Sequence, residues 1–311
     1  MNRNLLIGIG IITSPIFVAF ALFPSSFDMS WNQGRGDFLF ALVFVVAELV
    51  GLRIAISNKR LVCALPFVGA MILYFVGLNH GIKDYFLELS TAFDVQLIDS
   101  WIQMWDIMLM AIFITAVLSV YFGTRWIRIA PAAPIFLGGY AIILSLDALF
   151  PYDSLGPLQY IVPYLVQTNV WLVTLFDLGT AVARDNVMFL RGDYGGMALQ
   201  VYWPSAGVHS VIIYSLVMGA FLLKMNIPRN RKLVYFTLGI AGTIVVNVIR
   251  IFSLSWYAMK VTTDGEKWEA FHDVAGGIMF LPWLFVFLFI VMFIETRRLK
   301  KTEQVQNKIL S

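Results

Sequence analysis

Three residues that could carry out acyl transfer together, Ser205, Arg250 and His272, occur in this order on three successive apolar stretches. A serine hydroxyl becomes a nucleophile when a general base takes its proton at the moment of attack. An imidazole titrates in the range such a base needs, and a guanidinium can hold a developing oxyanion or a carboxylate. Ser205 follows Pro204 at the expected start of a helix, where unpaired backbone N–H groups and the positive end of the helix dipole converge. The N–H groups of Ala206, Gly207 and Val208 are then candidate oxyanion donors, and Gly207 leaves room for a substrate backbone. A plain helix cap at Ser205 is the competing reading.

Arg250 costs several kcal/mol inside an apolar span unless it faces a polar cavity, pairs with an acid or snorkels. Asn247, three residues earlier, extends a polar stripe on the same helical face. His209 lies four residues after Ser205, one turn deeper on one face, and competes with His272 for the role of base. Asp273, next to His272, should point about 100° away on a helix and so makes a poor orienter.

These residues need elements to position them. The pattern predicts a strand from Met197 to Trp203 that feeds Ser205, then a helix from Gly207 to Leu223 closed by the basic turn KMNIPRNRK. A second span, Leu233 to Leu254, places Arg250 about one turn, roughly 5 Å, from its far end. The polar loop VTTDGEKWEA follows, and His272 begins a third span closed by ETRRLKK. Upstream, NVMFL and MALQVYW flank a Gly-rich gap and read as a short extracytoplasmic β-hairpin.

With 59% hydrophobic and 13% charged residues, against roughly 25% charged in soluble domains, lipid is the solvent for most of this chain. Its net charge of +3 is therefore no sign of nucleic-acid binding. Further spans read as Leu5 to Phe23, Phe38 to Ile56, Leu61 to Asn79, Ile107 to Phe122 and Ala132 to Leu149, which makes eight. The first is read as a retained anchor rather than a signal peptide, for want of a cleavage site. Tyr160 to Leu178 is read as an interfacial or re-entrant helix because Pro163, Gln167, Asn169 and Asp177 make it poorer in apolar residues. The expected architecture is an all-α polytopic membrane protein forming a single domain over residues 1–311, with a catalytic-like segment at 186–294 and a basic tail at 295–311.

Both termini fall on the cytoplasmic side by the positive-inside rule. The inner segments then collect Arg3; Arg53, Lys59 and Arg60; Arg125 and Arg128; Lys224, Arg229, Arg231 and Lys232; and five residues of the tail, including Lys301 and Lys308. That is fifteen of the 22 basic residues, and it leaves Ser205, Arg250 and His272 extracytoplasmic. Glu48 and Asp147 are the other costly intramembrane groups. Glu48 suggests a polar cavity deep in the bundle; Asp147 is either a partner for Arg250 or a substrate contact.

The order of a strand, PSAGVHS opening a span, NVIR late in the next and FHDVAGG opening a third resembles the exosortase and archaeosortase family of membrane transpeptidases. The resemblance covers residues 186 to 294. It places the family's cysteine nucleophile on Ser205, its glycine on Gly207, its later serine on Ser210, its arginine on Arg250 and its histidine on His272. Serine in place of cysteine is the departure, so the chain is either a serine-using branch or a silenced form. Cys63, the only cysteine, reads as a small buried hydrophobe.

The resemblance implies a prokaryotic plasma-membrane enzyme that needs no cofactor. It would cleave a C-terminal sorting signal (motif, apolar helix, basic tail) on secreted proteins at the outer face and pass the target to an amine, such as a lipid headgroup. His209, Asn247 and Asp147 are candidate substrate contacts, together with Gly207.

Other classes compete less well. A rhomboid-like protease would carry Gly-x-Ser-Gly deep in a helix, and a secondary transporter would show two matching halves. A receptor for sorting signals would keep the groove without the nucleophile. Three histidines and one cysteine show no metal-ligand spacing.

Overall fold

The computed structural model describes residues 3–27, 34–50, 52, 54–150 and 158–310, and their side chains except at 277 and 301–310. Arg53 lies outside the described residues, as do the side chains of Lys301 and Lys308. The protein is a helical, multi-pass membrane protein with one small sheet. Its contacts divide it into two units, Met1–Gln159 with Gly219–Asn226, and Tyr160–Met218 with Ile227–Ser311.

The first unit contains α1 (Arg3–Leu22), α2 (Asp37–Leu49), α3 (Asn58–Gly77), α4 (Lys83–Ala92), α5 (Ile98–Phe122), the short α6 (Trp126–Ile129) and α7 (Ala132–Leu149). Its most extensive pairing is α5 on α7. Ile107, Met110, Ile114, Val117 and Tyr121 recur every three or four residues on α5, and all are buried. That spacing makes one continuous stripe for Phe136, Leu137, Tyr140 and Leu144 of α7. Two polar groups sit within this packing: Asp147 accepts a hydrogen bond from the Ser100 hydroxyl, and Glu48 accepts the Ala132 N–H at 3.0 Å. Glu48 also pairs with Lys224 at 3.0 Å. A buried carboxylate so neutralised needs no deep polar cavity to explain it.

Several expected boundaries move. Among the described residues six helices are long and apolar enough to cross a membrane, where eight were expected. Two of the eight, α2 at 13 residues and α9 (Val208–Lys224) at 17, fall short of that length. Thirteen helical residues span about 20 Å, against roughly 30 Å of hydrocarbon, and Val50 leaves the helix in an extended conformation. Past α3, a π-turn at Leu78–Ile82 with Gly81 at φ +101° joins it to α4, which the sequence reading had not assigned. Cys63 is exposed, not buried, because it lies with Val62 and Leu65 on the outward face of α3 while Leu61, Ala64, Met71 and Phe75 face inward.

The second unit contains α8 (Val162–Leu175), β1 (Thr180–Arg184), β2 (Val187–Gly192), β3 (Gly195–Gln200), most of α9, α10 (Arg229–Lys260) and α11 (Gly265–Leu310). At 14 residues, α8 is about 21 Å long, too short to cross alone. The expected hairpin is a three-stranded antiparallel sheet in the order β1-β2-β3. The sequence of β1, TAVAR, is too short and too rich in alanine to announce itself as a strand. The β2–β3 turn is tied to the end of α10: Asp193 N–H donates to Met259 O at 3.0 Å, and Lys260 pairs with the Asp193 carboxylate at 3.0 Å.

Both long helices exceed their expected bounds. α10 has 32 residues, so Arg250 lies ten residues, about 15 Å, before its end rather than one turn. α11 begins at Gly265 because Asp264 caps it, its carboxylate accepting the N–H groups of Glu266 at 3.0 Å and Lys267 at 3.4 Å. The expected loop VTTDGEKWEA is thus loop only to Asp264, and His272 lies two turns inside the helix. α9 and α10 approach closely at Gly239, where any side chain would collide with the Tyr214 ring. At the other end, Glu295 is almost wholly buried and accepts from Arg231 at 2.7 Å and Tyr235 at 2.6 Å.

Candidate active site

Residues Trp203 to Gly207 form a tight turn between β3 and α9. Trp203 is fully buried and anchors it. The backbone donors expected to make an oxyanion hole are consumed inside this turn. Ala206 N–H bonds Tyr202 O at 2.7 Å, Gly207 N–H bonds Pro204 O at 3.1 Å, and Val208 N–H bonds Trp203 O at 3.1 Å. A helix beginning at Ser205 would have left them free; the turn closes first, and α9 starts three residues later.

Gly207 also differs from its expected role. Its φ is +88°, and a Cβ there would collide with the Asn247 amide, so the missing side chain makes room for Asn247 rather than for a substrate. Asn247, almost wholly buried, donates from Nδ2 to Gly207 O at 2.8 Å, and its Oδ1 has no partner. One turn further along α10, Arg250 donates from Nη2 to the Ser205 carbonyl oxygen. Arg250 is buried, with its Nε unpartnered. Burial three turns from the helix end leaves it no route to snorkel. Asn247 and Arg250 thus hold both ends of the Ser205–Gly207 turn from beneath.

A cavity of about 280 Å³ opens beside the turn. Its wall is built by Gln200, Tyr202 and Ser205 on one side, Ile251 and Leu254 of α10 below, and Trp268, Glu269 and His272 of α11 opposite. Ser205 and His272 therefore share a cavity, with Arg250 behind the serine backbone. The His272 ring stacks on Trp268 at 5.4 Å between centroids, and Trp268 is held by its own Nε1 bond to Leu254 O at 3.2 Å. His272 Nδ1 lies 3.3 Å from Asp273 Oδ1. The neighbouring carboxylate does reach the imidazole, contrary to the expectation from helical angle alone.

The remaining candidates are not among the residues lining this cavity. His209 is half-buried on α9 and does not line the cavity; Ser210 is buried beside it. Asp147 belongs to the first unit and is fully buried against Ser100. Trp268 and Glu269 escaped the sequence reading because they were placed in a loop. Recognising Asp264 as a helix cap puts them four and three residues before His272 on one face.

Ser205 and His272 line one cavity beside a buried arginine, on a multi-pass helical scaffold. The chain belongs to the transmembrane exosortase family: the family model described as transmembrane exosortase (Exosortase_EpsH) matches residues 31–289. Neither the curated proteins nor the solved structures contain a match. Membership makes this a membrane protein of a sorting-related transpeptidase family, whose members act on secreted proteins bearing sorting signals.

Proposed function

We propose that the protein is a serine-dependent sorting transpeptidase acting at the extracytoplasmic face of a prokaryotic plasma membrane. Ser205 Oγ attacks the scissile carbonyl carbon of a C-terminal sorting signal, and His272 takes the hydroxyl proton. The C–N bond breaks, His272 returns that proton to the departing amine, and an ester links the target to Ser205. An amine, supplied by a lipid headgroup, then attacks the ester carbon; the ester C–O bond breaks, an amide joins the target to the lipid, and His272 passes the amine proton to the Ser205 oxygen. The observation that carries this reading is that Ser205 and His272 line one cavity.

With the local N–H groups committed, charge stabilisation falls to Arg250. Its guanidinium polarises the Ser205 peptide and keeps a buried, unpartnered Nε–H. Asp273 steadies the imidazolium as it forms. A serine supported in this way by a histidine and a carboxylate favours a serine-using branch over a silenced site.

Incubating the purified full-length protein, and its Ser205→Cys variant, with peptides ending in a motif, an apolar helix and a basic tail tests this by mass spectrometry. A covalent adduct on Ser205 together with a cleaved product is expected. An adduct formed only by the Ser205→Cys variant would mean a silenced enzyme, and none with either protein would favour a receptor.

A further inference from the structure

The first unit contains a second polar cavity that the transpeptidase reading leaves unused. About 510 Å³ in volume, it lies among the segment before α2, the start of α4 and the first turns of α5. Its floor is an internally neutral cluster: Arg35 pairs with Asp106 at 2.7 Å and donates to the Ser26 hydroxyl at 2.7 Å, while Tyr74 donates to the other Asp106 oxygen at 2.5 Å. Three lining groups are left over. Gln103, buried, commits its Nε2 to Gly34 O, and its Oε1 has no partner. The Lys83 ammonium and the Asp99 carboxylate, both exposed, make no hydrogen bond or close ion pair with any described residue, Lys83 acting on Asp106 only through space.

The unused set is therefore one cation and two acceptors, one of them anionic. A simple anion would satisfy Lys83 and leave a carboxylate and a buried carbonyl facing it; a simple cation would do the reverse. A group carrying a phosphate and an N–H-bearing ammonium a few ångströms apart answers all three, the phosphate on Lys83 and the ammonium on Asp99 and Gln103 Oε1. Depth supplies the source of such a group. The apolar run of α5 begins at Ile107, so the cavity residues 98–106 lie just past the end of the apolar stretch, at the level of lipid headgroups. Leu87, Ile98 and Ile102 give the same cavity an apolar side, suited to the start of acyl chains.

We propose that this cavity binds the phosphoethanolamine headgroup of a membrane lipid. The site does not depend on the chemistry assigned to Ser205. The test uses full-length protein in nanodiscs holding equal amounts of phosphatidylethanolamine, phosphatidylcholine and phosphatidylglycerol, with retained lipid counted by native mass spectrometry after release into detergent. Phosphatidylethanolamine should be retained about tenfold over the other two. Lys83→Ala should weaken its retention at least fivefold. Asp99→Asn should abolish the preference over phosphatidylcholine, whose quaternary ammonium cannot donate a hydrogen bond. Both side chains are exposed, so the variants should unfold at the temperature of the parent. Equal retention of the three lipids, or a preference that survives both substitutions, would overturn the assignment. So would soluble phosphoethanolamine protecting the protein from heat as well as the lipid does, because the source would then not be a membrane.

Discussion

Arg250 donates its Nη2 hydrogen bond to the carbonyl of Ser205, the residue proposed to attack. An arginine one turn from a helix end would reach the headgroups; one buried 15 Å inside has to find its partners in the protein. It finds the backbone of the Ser205 turn, so in the proposed mechanism one side chain both positions the serine and carries the charge that stabilises its product.

Arg250→Lys should therefore be a severe change despite keeping the charge, because an ammonium lacks the planar fork that reaches the carbonyl. Acyl-enzyme formation is expected to slow by about 100-fold or more, with a loss of about 1.5–3 kcal/mol in stability from the vanished charge-assisted bond. Single-turnover adduct rates beside thermal unfolding in the same detergent would check both. A rate within a factor of a few of the parent would remove Arg250 from the mechanism.

Gly207→Ala asks whether the turn and Asn247 compete for one space. The substitution pays twice, through the positive φ, at about 1–2 kcal/mol, and through the clash with the Asn247 amide. Adding Asn247→Ala should remove the clash and leave the backbone strain, so the double variant should recover part of the lost stability. Strict additivity of the two single losses would contradict the observed packing.

The contact between His272 and Asp273 predicts a modest catalytic role for an exposed carboxylate. Asp273→Asn should lower the acylation rate by roughly tenfold, near the bottom of the range for proton-transfer support, and leave stability unchanged. With Ser205→Cys in the background the effect should shrink, since a thiolate needs less help at the moment of attack. The same tenfold loss in both backgrounds would assign Asp273 to substrate binding instead.

Trp268 offers a separate reading of the cavity wall. Trp268→Phe keeps a ring under His272 but loses the bond to Leu254 O, and Trp268→Ala loses both. Activity should fall in that order, by a few-fold and then by about 10- to 100-fold, if the ring positions the imidazole. Equal rates for the two variants would show that stacking does nothing.

Glu295 tests the opposite end of the unit. Glu295→Ala leaves Arg231 and Tyr235 without their shared acceptor, so the unfolding temperature should fall, by less than a buried pair would give because Arg231 is exposed. Thermal unfolding should register it while the adduct rate at Ser205 does not change.

The sequence by itself determined the solvent of this protein and its helical, multi-pass class, and it named the three residues that the proposed chemistry would use. Those rest on composition and on local periodicity, which a chain carries without folding. Family membership confirmed the exosortase likeness first drawn from PSAGVHS, NVIR and FHDVAGG. Tertiary structure decided what those residues touch. The N–H groups of Ala206 to Val208 are free in a helix drawn from sequence and spent in the actual turn, because the burial of Trp203 and the Asn247 bond to Gly207 O fold that turn. Trp268 and Glu269 entered the site only when Asp264 fixed where α11 starts. Asp147, legible as an expensive group, is placed by Ser100 in the other unit. A buried polar residue announces its cost in the sequence, but its partner is a matter of contacts between segments distant along the chain, and no local pattern contains them.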